Sequence, residues 1–156
     1  MARFLEQAAP ALGIDEAAII AKSNEAKAEA EQKNQAHSAS NLKKLAATKA
    51  YVKGNFEQAI NLLTEAIELN PENHVLYSNR AAAYMAITDW ENAIEDTDKC
   101  IELNDEFTKG FYRKGLCLVE LERFEEAEVA LREAYDLDPE NQEIVDQLKL
   151  VRRKLE

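Results

Sequence analysis

Glycine and proline are scarce, four and three in 156 residues, too few for the tight turns of a multi-strand sheet. No apolar run approaches the ~20 residues that a membrane-spanning helix needs. The opening Met1-Ala-Arg-Phe-Leu-Glu-Gln reaches an acidic residue and a glutamine too early for a secretory signal. Positive charge is also short. With a net charge of −11 and a pI near 4.8, the general field repels nucleic acid and anionic membrane, and neither is expected as a partner. Cys100 and Cys117 are the only cysteines, and both fall in helix-like apolar patterns. That favours reduced core thiols in a cytoplasmic protein over a disulfide.

The elements of catalysis are missing too. His37 and His74 stand alone, and no His/Cys/Asp spacing suits a metal. No glycine-rich phosphate loop or nucleophile elbow occurs, so no cofactor and no enzymatic activity are expected. Glu120, Glu122, Glu125, Glu126 and Glu128 form a charge run typical of a solvated helix surface.

Alanine, glutamate, leucine and lysine dominate instead, a mix that favours helix throughout. Phe4, Leu5, Leu12 and Ile14 form a short apolar cluster. Asp15 is a plausible N-cap for a weakly amphipathic helix to about Gln35, either partly solvated or packed on the rest of the chain or a second copy. His37-Ser-Ala-Ser40 reads as a break before the next helix.

From Ser40 a 34-residue period sets in. It links Phe56, Trp90 and Phe124; Ala59, Ala93 and Ala127; Ala66, Cys100 and Ala134; and Pro71, Asp105 and Pro139. Each unit reads as helix, short turn, helix, with Gly54 ending the first helix of the first unit. The aromatic after the turn packs between the helices, and the alanine three residues on lets them approach. Cys100 stands where its counterparts are alanine, so it is a small core residue. Ile144, Leu148, Val151 and Leu155 recur at helical spacing after the last unit.

Period, small residues, aromatic and terminal proline together resemble the tetratricopeptide-repeat (TPR) family. The resemblance implies an all-α, right-handed helical solenoid of three repeats (40–73, 74–107 and 108–141), a capping helix at 142–156 and an accessory helical segment at 1–39. It also implies a groove lined by the first helix of each repeat.

Within this acidic array, Lys44, Lys109 and Arg113 fall on those first helices, and Asn79 on the middle one. Lys109 and Arg113 lie four residues apart, hence on one helix face, where like charges repel unless an anion lies between them. Lysine, arginine and an asparagine amide together suit a carboxylate. The stretches Asn73–Tyr84 and Lys109–Lys114 are similar to the carboxylate-clamp subclass, most of all to the first repeat domain of heat-shock organising co-chaperones. That likeness implies Lys44, Thr48, Asn79, Lys109 and Arg113 as the clamp. It implies as ligand the Glu-Glu-Val-Asp tail of cytosolic chaperones of the 70 or 90 kDa class. Where the family has Gly-Asn, this chain has Ala47-Thr48, and one lost charge-assisted hydrogen bond costs on the order of 1–3 kcal/mol. Tyr51, Ala82 and Met85 are candidates for the wall beside the clamp, or for ordinary packing between repeats. Two other roles compete with the clamp. One is a protein-binding scaffold, self-associating through residues 1–35; the other is the targeting module of a larger enzyme.

Overall fold

The computed structural model describes Gly13 and residues 15–156, so the Phe4, Leu5, Leu12 and Ile14 cluster lies outside the described residues. Seven helices make up the described chain: α1 (Glu16–Val52), α2 (Phe56–Leu69), α3 (His74–Ala86), α4 (Trp90–Leu103), α5 (Thr108–Glu120), α6 (Phe124–Leu137) and α7 (Gln142–Leu155). Residues up to Ser38 and those from Ala39 onward form separate compact units. In the first, Asp15 caps α1 through its side chain, accepting from the Ala18 N–H at 3.2 Å. Ile19 and Ile20 are more than half exposed.

The break expected at His37–Ser40 does not occur, and α1 runs through it. Serine is a poor helix former because its hydroxyl competes for backbone groups. Here the fully buried Ser40 hydroxyl instead donates to the Ala66 carbonyl of α2 at 2.8 Å. A hydroxyl with a partner on another helix has no reason to unwind its own.

From Ala39 onward, helix pairs stack in sequence. The first helix of each pair ends in the same way. Gly54, Thr88 and Glu122, spaced by the repeat, all take positive φ, at 81°, 61° and 57°. The next residue's N–H then reaches back five residues: Asn55 to Ala50, Asp89 to Tyr84 and Arg123 to Leu118, at 2.8, 2.9 and 2.9 Å. This left-handed C-cap satisfies carbonyls that the helix end would orphan. Asn73, Asp89 and Asn141 cap α3, α4 and α7 with side-chain oxygens.

The periodic alanines pack where the spacing predicts. Ala59, Ala93 and Ala127 are fully buried, as are Ala66, Cys100 and Ala134. Trp90 packs on Ala81, Ala93 and Cys117, and Phe124 on the Leu118, Ala127 and Leu131 cluster. On α7, Ile144, Leu148 and Val151 are buried, and the last two join that same cluster, while Leu155 is 37% exposed. Burying such side chains contributes about 1.5–3 kcal/mol each. Both cysteines are buried and unpaired.

Candidate functional site

A hollow of about 240 Å³ opens among α1, α2, α3 and α5, lined by Ala47, Thr48, Tyr51, Leu63, Asn79, Ala82 and Arg113. It lies wholly within the unit that starts at Ala39. Thr48, Asn79, Arg113, Tyr51 and Ala82, scattered over 66 residues of sequence, are therefore neighbours. Stacking the repeats brings α1, α3 and α5 side by side, and residues from all three face the same space.

Thr48 is exposed, but its hydroxyl already donates to the Lys44 carbonyl one turn back, at 3.1 Å. It presents the hollow with a methyl and an acceptor oxygen, not with the donor an amide would supply. Asn79, half-buried on α3, has no side-chain partner among the described residues. Tyr51 is 40% exposed and meets Phe56 edge to face, with ring centroids 5.2 Å apart.

Arg113 crosses from α5 to α3. Its Nη1 donates to both the Ser78 carbonyl, at 2.8 Å, and the Ser78 hydroxyl. Nε and Nη2 have no acceptor among the described residues. Among the described residues no buried side-chain nitrogen lacks a partner, so these two atoms remain open to solvent. Burial pulls the guanidinium below its ordinary pKa, as expected for a cation withdrawn from water. No carboxylate of the described residues lies within 4.0 Å of it, whereas Lys114, the next residue on α5, pairs with Asp98 at 2.7 Å.

Lys44 and Lys109 do not line the hollow. Lys44 is half-buried and Lys109 exposed, one turn before Thr48 and Arg113 respectively, and neither pairs with a carboxylate among the described residues. Met85 is placed elsewhere: it packs with Tyr84, Trp90 and Ile94 on the Ala81, Ala93 and Cys117 cluster. Half-buried there, it makes contacts of the kind expected for packing between repeats.

Two lining residues carry no sequence signal for the role. Ala47 is a buried packing residue of α1. Leu63 comes from α2, a second helix of a repeat, and forms floor to a space whose walls are first helices. Ser78, which holds Arg113, is fully buried and differs in nothing from any other core serine until its partner is seen. Cys117 lies near Arg113, and burial pushes its thiol up to about 12. It carries no nucleophilic chemistry at neutral pH. Among the described residues no cluster of three or more potential metal ligands occurs, and no helix is long and apolar enough to cross a membrane.

Known proteins resemble this chain over much of its length. A family model described as TPR repeat matches residues 50–87, and one described as Tetratricopeptide repeat matches 108–141. The Protein STIP1 homolog of Dictyostelium discoideum is 40% identical over 100 residues, covering 64% of this chain. The chain spans only 18% of that relative's length. Among solved structures, the Arabidopsis OM64 TPR domain superposes with a TM-score of 0.75 at 31% identity, covering 76% of this chain and 98% of that one. The first TPR of Spaghetti (RPAP3), solved bound to the HSP90 peptide SRMEEVD, gives a TM-score of 0.75 at 28% identity, with 76% and 94% covered.

Proposed function

Because the chain belongs to the tetratricopeptide-repeat family, we propose that its repeats form a non-catalytic adaptor for the free C-terminal carboxylate of an acidic, extended peptide. The ligand is of the Glu-Glu-Val-Asp type carried by heat-shock chaperones of the 70 and 90 kDa classes. The peptide SRMEEVD bound by the RPAP3 domain has this ending.

One observation carries the reading. Arg113 is a partly desolvated cation in a chain of net charge −11, yet no carboxylate of the described residues neutralises it. Leaving such a charge unpaired costs stability, and the expense is explained when a ligand supplies the anion. Asn79 adds an amide donor at the same hollow. Lys44 and Lys109 add point charges one helical turn away, long enough to reach a ligand that extends from it. Thr48, Tyr51 and Ala82 shape the side wall against the peptide's last apolar side chain.

Affinity should be micromolar in order of magnitude, because a short extended peptide loses much freedom when it is ordered. It should weaken with added salt, since the charges are partly exposed. The test is calorimetric titration with peptides ending in Met-Glu-Glu-Val-Asp and Ile-Glu-Glu-Val-Asp, each as free acid and as C-terminal amide. The free acids bind and the amides bind at least tenfold more weakly. Equal affinities would overturn the proposal.

A further inference from the structure

We infer that Ser78 is a positioning residue for peptide binding: it holds Arg113 so that the ligand carboxylate is taken side-on by the Nε–Nη2 edge of the guanidinium. The inference rests on the carboxylate-binding reading above and adds to it the residue that sets the geometry.

The same molecule contains the pattern in completed form. Arg80 gives its Nε and Nη2 to the two oxygens of Asp96, at 2.8 and 2.7 Å, and its Nη1 to the Thr64 hydroxyl at 3.1 Å. The hydroxyl takes the outer nitrogen and the carboxylate takes the side-on fork. Arg113 repeats half of this arrangement. Its Nη1 is held by the Ser78 hydroxyl and carbonyl, and its Nε and Nη2 have no acceptor among the described residues. The fork that meets a carboxylate in Arg80 is, in Arg113, an unpaired edge on the wall of the hollow.

Ser78 suits the task because it is rigid and small. It sits fully buried in the middle of α3, so the acceptor pair it presents is set by the helix and not by a mobile loop. Its counterparts in the repeat register are the much longer Lys44 and Tyr112, whereas the serine places a hydroxyl close to the helix backbone. The neighbouring Cys100 thiol, raised by burial, is drawn the other way by Ser78 and Arg113, which places it beside both. An arginine whose direction is preset loses less freedom when it engages a ligand.

The experiment compares the unsubstituted chain with Ser78→Ala, Ser78→Thr and Arg113→Lys, using free-acid and amidated Glu-Glu-Val-Asp peptides. Ser78→Ala should raise the Kd of the free acid about tenfold, the scale of one charge-assisted hydrogen bond. It should leave the Kd of the amide unchanged, so that discrimination falls. Ser78→Thr retains the oxygen and restores most of the discrimination. Arg113→Lys keeps the charge but loses the fork, and should bind no better than Ser78→Ala. In the unsubstituted protein, the Arg113 Nε–H resonance should move downfield on titration with the free acid and not with the amide. If the unsubstituted chain discriminates between acid and amide but Ser78→Ala does so equally well, the positioning role is overturned and the binding site stands. A silent Nε–H resonance during saturable binding overturns it without any variant. Absence of discrimination in the unsubstituted chain overturns the site reading, and this inference with it.

Discussion

Arg80 of α3 and Asp96 of α4 form a two-pronged ion pair in the interior of the middle repeat, with the guanidinium carbon 5.9 Å from the ring centres of both Tyr77 and Tyr84. The hydrogen bond to Asp96 raises the Arg80 pKa. Burial nevertheless raises the Asp96 carboxyl, by more than the guanidinium lowers it. The pair is thus a desolvated one, whose partners depend on each other. Arg80→Ala should lower stability by roughly 3–5 kcal/mol in urea unfolding, because it leaves a buried carboxylate without a counter-charge. Replacing both together, Arg80→Met with Asp96→Leu, should restore most of that loss.

Thr88 and Glu122 occupy the left-handed conformation that Gly54 occupies in the first repeat. A side chain there is strained, a β-branched one most of all. Thr88→Gly should raise stability by about 1 kcal/mol, and Glu122→Gly by less, even after the entropy a glycine adds to the unfolded chain. Gly54→Ala should destabilise by a similar amount. Thermal melts of the three variants would settle the order.

Gly115 and Gly110 share a helix but not an environment. A methyl at Gly115 would lie 2.6 Å from Cγ of Leu131, a fully buried side chain that would have to shift. At Gly110 the nearest atoms are 3.2 and 3.3 Å away, on Ile101 and Cys100. Alanine gains about 1 kcal/mol of helix propensity at either place. At Gly110 that gain roughly offsets the crowding, whereas Gly115→Ala should cost on the order of 1–3 kcal/mol net through overpacking. Chemical denaturation of the two variants tests the contrast.

Cys117 predicts an alkaline limb. Its thiol ionises at about 12 in the fold, against an ordinary value of 9.0. Between those values the unfolded chain has released a proton that the native chain keeps. Stability therefore falls as pH rises through that window, by about 1 kcal/mol per pH unit, and is unaffected by this group below pH 9. Cys117→Ala should flatten the limb in urea titrations run from pH 8 to 11. At pH 8 a thiol reagent should label Cys117 only as the chain unfolds.

Thr48 and Lys109 bracket the proposed site. The Thr48 hydroxyl is already engaged by the Lys44 carbonyl, so Thr48→Asn should add a donor and tighten free-acid peptides up to about tenfold. Lys109→Ala should weaken them severalfold and lessen the dependence on salt, with no change in melting temperature, because the side chain is exposed and has no ion-pair partner among the described residues. Titrations at two salt concentrations measure both effects.

Periodicity determined most of the architecture directly from the sequence. Ala59, Ala93 and Ala127 are buried because a 34-residue repeat of helix pairs leaves room there for a methyl and nothing larger. The amide–acid contrast between Asn55 and Asp89, or the difference between Ala66 and Cys100, mattered less than the shared register. Local chemistry misled at His37–Ser40, where a helix-weakening serine is held by a partner 26 residues away. The same limit applies to function. Residue type and helical spacing nominated Asn79 and Arg113, and the resemblance to the carboxylate-clamp subclass added Thr48, whereas Met85, a candidate for the wall or for packing between repeats, is half-buried against Tyr84, Trp90 and Ile94. The sequence shows that Lys109 and Arg113 share a helix face. Only the tertiary structure decides that Arg113 is held by Ser78, that Lys109 stands in solvent, and that Leu63 closes the hollow beneath. Those facts depend on contacts between helices far apart in the chain, where burial and hydrogen bonding, not spacing, select a single arrangement.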